Sequence, residues 1–380
     1  MKKICYFINS DWYFDLHWIE RACAAQNKGY QIHIMTRFKG EELYNKFTLL
    51  GFICHNIHIK DHSLNPLSFF FTMMQVWFKL LIINPSIIHS ITIKPVILGG
   101  VYSRIFRKPF IANIVGLGRI FDCDSSIYIK VKKIVIFIYK QIFKNEKIKI
   151  IFEHNKDRDF LEKNIKFKFG QTIIIDGAGV DTTIFSYREE KENIKPIVFF
   201  AGRMLKNKGL DTLVDIKREL NDLNIHFDLV VAGIEVFDDP YAIPTSILKS
   251  WHEQGDIVWL GERRDIAQLI SNSNIIALPT LYPEGVPRIL IEACAIGRSC
   301  IAYNSGGCSS IIENGITGYL IEKNNKKEFR DKLIILIKNP ELRKEMGING
   351  HNLVKEKFSS AKVINLTLCI YSVFIDECYN

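Results

Sequence analysis

Short apolar runs, each long enough for a buried β-strand, alternate with helix-like stretches along almost the whole chain, and the alternation breaks only once. KICYFIN, a helical stretch near Leu16 to Lys28, QIHIMT, SIIHSI and FIANIV follow in order before the break. Such alternation predicts βαβ units and a parallel sheet. The break is DGAGVDTTIFSYREEKENIKP, residues 176–196, which is polar, rich in turn residues and without a clear period. It reads as an interdomain linker. A second series then starts with IVFFAG and continues through FDLVVAG, IVWLG, IIALP and SCIAYN. The expected fold class is α/β, with two doubly wound Rossmann-like domains facing a central cleft. The expected domains are residues 1–185 and 186–359, with ligands beyond the carboxyl ends of the strands.

Two segments test that reading. MKKICYFINSDW resembles the start of a signal peptide, but its apolar run is short and Asp11 follows at once, so a first buried strand fits better. PLSFFFTMMQVWFKLLIINP, residues 66–85, approaches the length of a membrane span. Gln75 and Lys79 interrupt it, and a buried or interfacial helix is expected instead. The nine cysteines form no CxxC pair, and are expected to be reduced, small apolar residues of a cytosolic protein. Charge is divided unequally. Residues 1–185 carry 26 Lys and Arg against 15 Asp and Glu, a balance of +11, and the remainder carries 24 against 26, or −2. A basic half points to an anionic partner, either nucleic acid or a membrane surface.

Chemistry concentrates in the second half. In LYPEGVPRILIEACAIG a strand-end loop delivers Glu284 next to a helix that Pro287 opens and Gly297 closes. Free N–H groups at such a helix start attract phosphate, so a carboxylate there is suited to neutral vicinal hydroxyls. Glu292, further along the helix, could hold a second diol. Two diols flanking a diphosphate describe a nucleotide-sugar, whereas two solvated glutamates on a surface helix are the plainer alternative. AGRMLKNKG places Arg203 and Lys208, with Gly202 beside them, on a strand-to-helix loop, where two cations could hold a departing diphosphate. The block WLGERRDIAQLI sets Arg263 on a strand-end loop whose backbone could hold a nucleobase.

The set GRMLKNKG, WLGERRDIAQLI, LPTLYPEGVPRILIEACAIG and NSGGCSSIIENGITGYLI resembles the retaining family 4 glycosyltransferases of the GT-B fold, in order and spacing, across roughly residues 197–325. Glu284 and Glu292 match that family's E-x7-E pattern. HSITIKPVILGGVYSRIFRKPFIANIVGLG and IDGAGVDTTIF are similar to a subgroup that builds bacterial surface polysaccharides on a lipid carrier. The resemblance implies that Arg203 and Lys208 bind the donor diphosphate, Glu284 the sugar hydroxyls and Glu292 the ribose, with Gly285 and Val286 offering backbone N–H groups that Pro287 lacks. It implies no cofactor and no metal, a UDP-sugar donor, and a last helix, about 360–380, that packs back on the first domain.

The family's Gly-Gly loop after its first strand is missing: here the segment reads NSDWYFDLHWIE. His17, expected at the start of the next helix, is the polar candidate that remains. Lys94 and His89 are expected to flank a strand end on the acceptor side. Gly116 begins a tight GLG turn, Asp122 and Asp124 follow it, and His154, Asn155 and Asp157 sit where they either touch acceptor or cap a helix. Residues 125–150 interleave seven lysines with Ile, Phe and Tyr, a pattern suited to a membrane-surface helix. Nucleic acid is disfavoured, since the basic residues interleave with aliphatic groups and no aromatic stacking platform is present. The expected function is retaining transfer of a sugar from a nucleotide-sugar to an undecaprenyl diphosphate-linked oligosaccharide, at the inner face of the cytoplasmic membrane. A non-catalytic nucleotide-sugar or polysaccharide-binding subunit and a nucleotide-sugar epimerase of the same fold are the alternatives.

Overall fold

The computed structural model describes residues 1–59, 65–122, 126–237, 239–282 and 285–376. It divides the chain into two compact units, residues 1–178 with 361–380, and residues 179–360.

The first unit is built on β1 (Lys3–Ser10), β2 (Gln31–Arg37), β3 (Ile53–Asn56), β4 (Ile87–Ile91), β5 (Phe110–Ile114), β6 (Ile148–Phe152) and β7 (Thr172–Ile174). They pair in the order β3-β2-β1-β4-β5-β6-β7, all parallel. Every residue of β4 and β5 is buried, which explains runs such as IIHSI and FIANI: a strand covered on both faces has no solvent side to alternate with. Pleating sends alternate residues of β1 to opposite faces. Cys5 and Phe7 enter one apolar cluster, Ile4, Tyr6 and Ile8 the other. The C-terminal helix Ser360–Asp376 completes the second cluster with Val363, Ile370, Tyr371 and Phe374. Its Tyr371 hydroxyl lies 2.8 Å from the Tyr6 hydroxyl and 2.8 Å from His89 Nδ1.

The second unit repeats the plan with β8 (Ile197–Ala201), β9 (Asp228–Ala232), β10 (Val258–Trp259), β11 (Ile275–Leu278), β12 (Ser299–Tyr303) and β13 (Gly318–Ile321), ordered β10-β9-β8-β11-β12-β13 and again parallel. In each sheet the strand order reverses beside the first strand, between β1 and β4 and between β8 and β11. Ligands of doubly wound sheets bind at that switch point.

The polar segment 176–196 is more than a linker. Val180 and Phe185 enter the second core, and Val180 exchanges backbone hydrogen bonds with Phe358 and Ser360. Glu190 forms a buried ion pair with Arg343 at 2.6 Å. The fully buried Arg298 donates to the carbonyls of Arg188 and Ser271. The compact units therefore meet at residues 178 and 179, ahead of the expected boundary at 185. Charge pairing inside the core holds this polar strap, and the sequence shows no apolar period there.

Candidate active site

The switch point of the second sheet is assembled by three glycines. After β8 the chain runs through Gly202, Arg203 and a single 3-10 turn, Lys206–Lys208, into the helix Leu210–Asp222. Gly233, past β9, comes so near that a Cβ on it would lie 1.7 Å from the Gly202 carbonyl oxygen. Gly209, at φ +83°, sits against Pro279, whose oxygen would lie 2.1 Å from an added Cβ. No L side chain fits either place. The Asn207 carbonyl accepts hydrogen bonds from the amides of Leu281 and Tyr282, fastening the loop after β11 to the loop after β8. Gly307, past β12, closes on the same loop: its amide donates to the Gly285 carbonyl at 3.2 Å, and a Cβ would lie 2.8 Å from the Val286 nitrogen.

This fastening brings Arg203 and Lys208 to one aromatic ring. The Arg203 guanidinium lies 5.7 Å from the Tyr282 ring centroid and the Lys208 ammonium 5.4 Å from it. Lys208 is buried and Arg203 half-buried. Ring faces attract cations. Arg203 makes no ion pair with any described residue. Two cations beside one ring could together hold an anion.

The helix Arg288–Ile296 begins directly after Pro287 and ends at Gly297 with φ +85°. Glu292 lies on its inward side, buried, and accepts from Arg288 Nε at 2.6 Å one turn back. Burial pushes its carboxyl above the ordinary glutamate pKa, with Arg288 working against the rise. Glu284 lies outside the described residues. Arg263 is exposed and held by Asp265 in a two-pronged ion pair of 2.8 and 2.6 Å.

In the first unit His17, Lys94, Gly116 and His154 lie in segments that follow the carboxyl ends of four neighbouring strands, β1, β4, β5 and β6. His17 ends the helix Asp11–His17 rather than starting the next one, because that helix begins directly at the end of β1; its ring packs on Tyr13 at 4.3 Å. Lys94 is the second residue of the helix Ile93–Phe106 and lines a small cavity with Asn65, Ser68 and Thr72. Gly116, at φ +124°, turns the chain just past β5. His154 caps the helix Asn155–Glu162, accepting from the Asp157 amide at 3.4 Å, and its Nε2 lies 3.2 Å from the Asp157 carboxylate. His89 does not flank a strand end: it is fully buried within β4, and burial drives its pKa down to about 3. The side chain of Asp122 and all of Asp124 lie outside the described residues. Among the described residues no group of three or more His, Cys, Asp or Glu is placed to hold a metal ion.

Two family models divide the chain much as the two units do. One described as Glycosyl transferase 4-like matches residues 3–155, and one described as Glycosyl transferases group 1 matches residues 182–353. The chain belongs to the family 4 glycosyltransferases. This glycosyltransferase is 29% identical over 305 residues to the N,N'-diacetylbacillosaminyl-diphospho-undecaprenol alpha-1,3-N-acetylgalactosaminyltransferase of Campylobacter jejuni, covering 76% of this chain and 77% of that one. It is 25% identical over 293 residues to the UDP-Gal:alpha-D-GlcNAc-diphosphoundecaprenol alpha-1,3-galactosyltransferase of Escherichia coli, covering 71% and 72%. A glycosyltransferase from Rickettsia africae shares its fold with a TM-score of 0.76 at 20% identity over 98% of this chain and 99% of that one. A protein from Anabaena solved with UDP and glucose does so with a TM-score of 0.77 at 16% identity, over 98% and 100%. The fold of the glycosyltransferase is GT-B.

Four residues in contact with the candidate site of the glycosyltransferase are absent from the sequence reading. Arg288 was legible as a cation four residues before Glu292. Tyr282 lies inside the quoted loop, but nothing in a sequence says that its ring faces two cations. Gly233 and Gly307 matter through contacts with backbone distant in sequence, which no local pattern records.

Proposed function

We propose that this glycosyltransferase moves a sugar, with retention at the anomeric carbon, from a UDP-sugar to an oligosaccharide carried on undecaprenyl diphosphate during bacterial surface-polysaccharide synthesis. The observation that carries this reading is the convergence of Arg203 and Lys208 on the Tyr282 ring. The names of the Campylobacter and Escherichia relatives support the acceptor class, and that of the Escherichia enzyme the UDP-sugar.

In this reading the bond between the anomeric carbon and the donor diphosphate breaks while an acceptor hydroxyl bonds to that carbon. The electron pair leaves with the diphosphate, where Arg203 and Lys208 neutralise it, doing without a metal what a divalent ion does elsewhere. An oxygen of the leaving phosphate takes the acceptor proton. Glu292 holds the ribose diol, aligned by Arg288, and Glu284 holds the sugar. Gly285 and Val286 direct backbone N–H groups at the same ligand, with Gly202 allowing close approach. Arg263, bound to Asp265, contributes through its loop backbone beside the base. His17, Lys94, Gly116 and His154 belong to the acceptor side, and the basic first unit approaches an anionic membrane at its cytoplasmic face.

The test is transfer from a panel of UDP-, GDP- and TDP-sugars to lipid-linked saccharides, with Lys208→Ala and Glu284→Ala as controls. Transfer from one donor, lost in both variants and giving a product with the donor's anomeric configuration, is expected. Tight nucleotide binding without transfer to any acceptor would favour a binding subunit instead.

A further inference from the structure

The outer face of the helix Pro66–Ile83 is apolar and uncovered. Thr72, Val76, Leu80 and Ile83 point inward and are buried. Leu67, Phe71, Met74, Phe78 and Ile82 recur at helical spacing on the other side, Phe71 70% and Phe78 65% exposed. The stripe runs the length of an 18-residue helix, about 27 Å. An exposed apolar face of that length marks a docking surface. Its neighbours extend it. Trp77 packs on Tyr102 and Phe106 of the helix Ile93–Phe106, and Gly100 of that helix admits Ile142 of the helix Ser126–Ile142 so closely that a Cβ would lie 2.7 Å from it. These two helices add Ile105, Phe106, Ile134 and Phe137, all exposed.

Charge along these helices is mostly of one sign. Residues 65–145 contain eleven Lys and Arg against two Asp, at 122 and 124. Among them Arg104, Arg107, Lys130, Lys133 and Lys140 are exposed. At the start of the stripe a groove of about 630 Å³ is lined, among the described residues, by Arg37, His58, Ile59, Ser68, Phe71, Thr72 and Gln75. The Arg37 guanidinium and the Ser68 hydroxyl there suit a phosphate.

The helix is long and apolar enough to cross a bilayer, but its inner side is committed. Trp77 Nε1 donates to the Leu98 carbonyl at 3.1 Å, and Thr72 Oγ1 to the His58 carbonyl at 2.7 Å. Spanning would break these bonds and expose Val76 and Leu80. An apolar stripe flanked by cations lies in the plane of the interface instead.

We propose that this face docks on a bilayer containing anionic phospholipid, with the stripe of helix Pro66–Ile83 seated at the headgroup–acyl boundary and one lipid phosphate in the Arg37 groove. This deepens the proposed membrane-bound transfer by naming the surface that makes the contact. Flotation of the full chain with vesicles tests it without donor or acceptor. Phosphatidylcholine vesicles containing phosphatidylglycerol are expected to carry the protein, and phosphatidylcholine alone to carry far less. Phe71→Ser with Phe78→Ser is expected to weaken partitioning by about tenfold or more. Lys133→Gln and Lys140→Gln are each expected to weaken it by about fivefold. Arg37→Gln is expected to narrow the preference for the anionic vesicles, and Ile194→Ser, an exposed apolar change in the second unit, to alter nothing. Bound wild type is expected to come off in alkaline carbonate. Unchanged binding by the Phe71/Phe78 variant, equal loss in Ile194→Ser, retention in carbonate, or no binding to either vesicle would overturn the proposal. UDP binding by the same samples reports separately on the second unit, so a membrane failure and a donor-site failure are distinguishable.

Discussion

Glu292 is held where the fold opposes its charge. Its pKa is raised by burial above the unfolded value. Such a group stabilises the fold when protonated, and that contribution is lost as pH rises through the folded pKa. Burial thus works against the charged form of Glu292, so the fold gains no stability from ionising it. Glu292→Gln is expected to leave Tm at pH 7 unchanged or higher while nucleotide affinity falls by about ten- to a hundredfold. A lower Tm with unchanged affinity would make it a structural residue. Gly209→Ala acts through backbone: φ of +83° and the Pro279 oxygen both reject a Cβ. The conformation alone costs about 1–2 kcal/mol, and Lys208, one residue earlier, is expected to move with it. Differential scanning and UDP titration should show both a fall in Tm and weakened UDP binding. At this scale Arg203, Lys208 and Glu292 could be named from the sequence as candidates, because charged residues on a strand-end loop or at the start of the helix after one are informative by type. The Tyr282 ring and the Gly307 contact were not, since both depend on which loops the sheet brings together.

Among the elements, the C-terminal helix is fixed to the first sheet by one polar chain inside an apolar core. Tyr371 links Tyr6 and His89, both fully buried. Tyr371→Phe leaves the Tyr6 hydroxyl and His89 Nδ1 without that partner, and is expected to cost about 1–3 kcal/mol by urea unfolding. A change within a few tenths would mean that the helix is held by packing alone. The pH profile carries two opposite signs. Burial lowers His89 to about 3, and burial lowers His33 and His55 to about 4, with the approach of His55 adding to the shift at His33 and Lys79 adding to that at His55, against an unfolded value of 6.5. Their contribution is present above pH 6.5 and is lost as pH falls towards those values. Asp157 runs the other way, raised by burial and by Glu153 to about 7. Its contribution is lost as pH rises through 7, and Asp157→Asn is expected to flatten that limb of Tm against pH while leaving the acid limb in place. The strands were legible at this scale because fully buried parallel strands write continuous apolar runs. The strap 179–196 was not, since Arg298, Glu190 and Arg343 hold it by polar contacts that have no period.

Across the whole molecule, the doubling of the βαβ series foretold two parallel sheets, and the order and spacing of four blocks foretold the family. Charge asymmetry was legible only as a sum. The first unit's cations border an exposed apolar stripe, whereas the second unit's Arg203 and Lys208 meet at a ring. The proposed chemistry rests on that meeting. The most direct test is the single-turnover rate of sugar transfer at saturating donor, comparing wild type with Lys208→Ala. Loss of a group that neutralises the departing diphosphate predicts a fall of about a hundred- to a thousandfold. A rate within a few-fold of wild type would contradict the assignment of Lys208 to the leaving group.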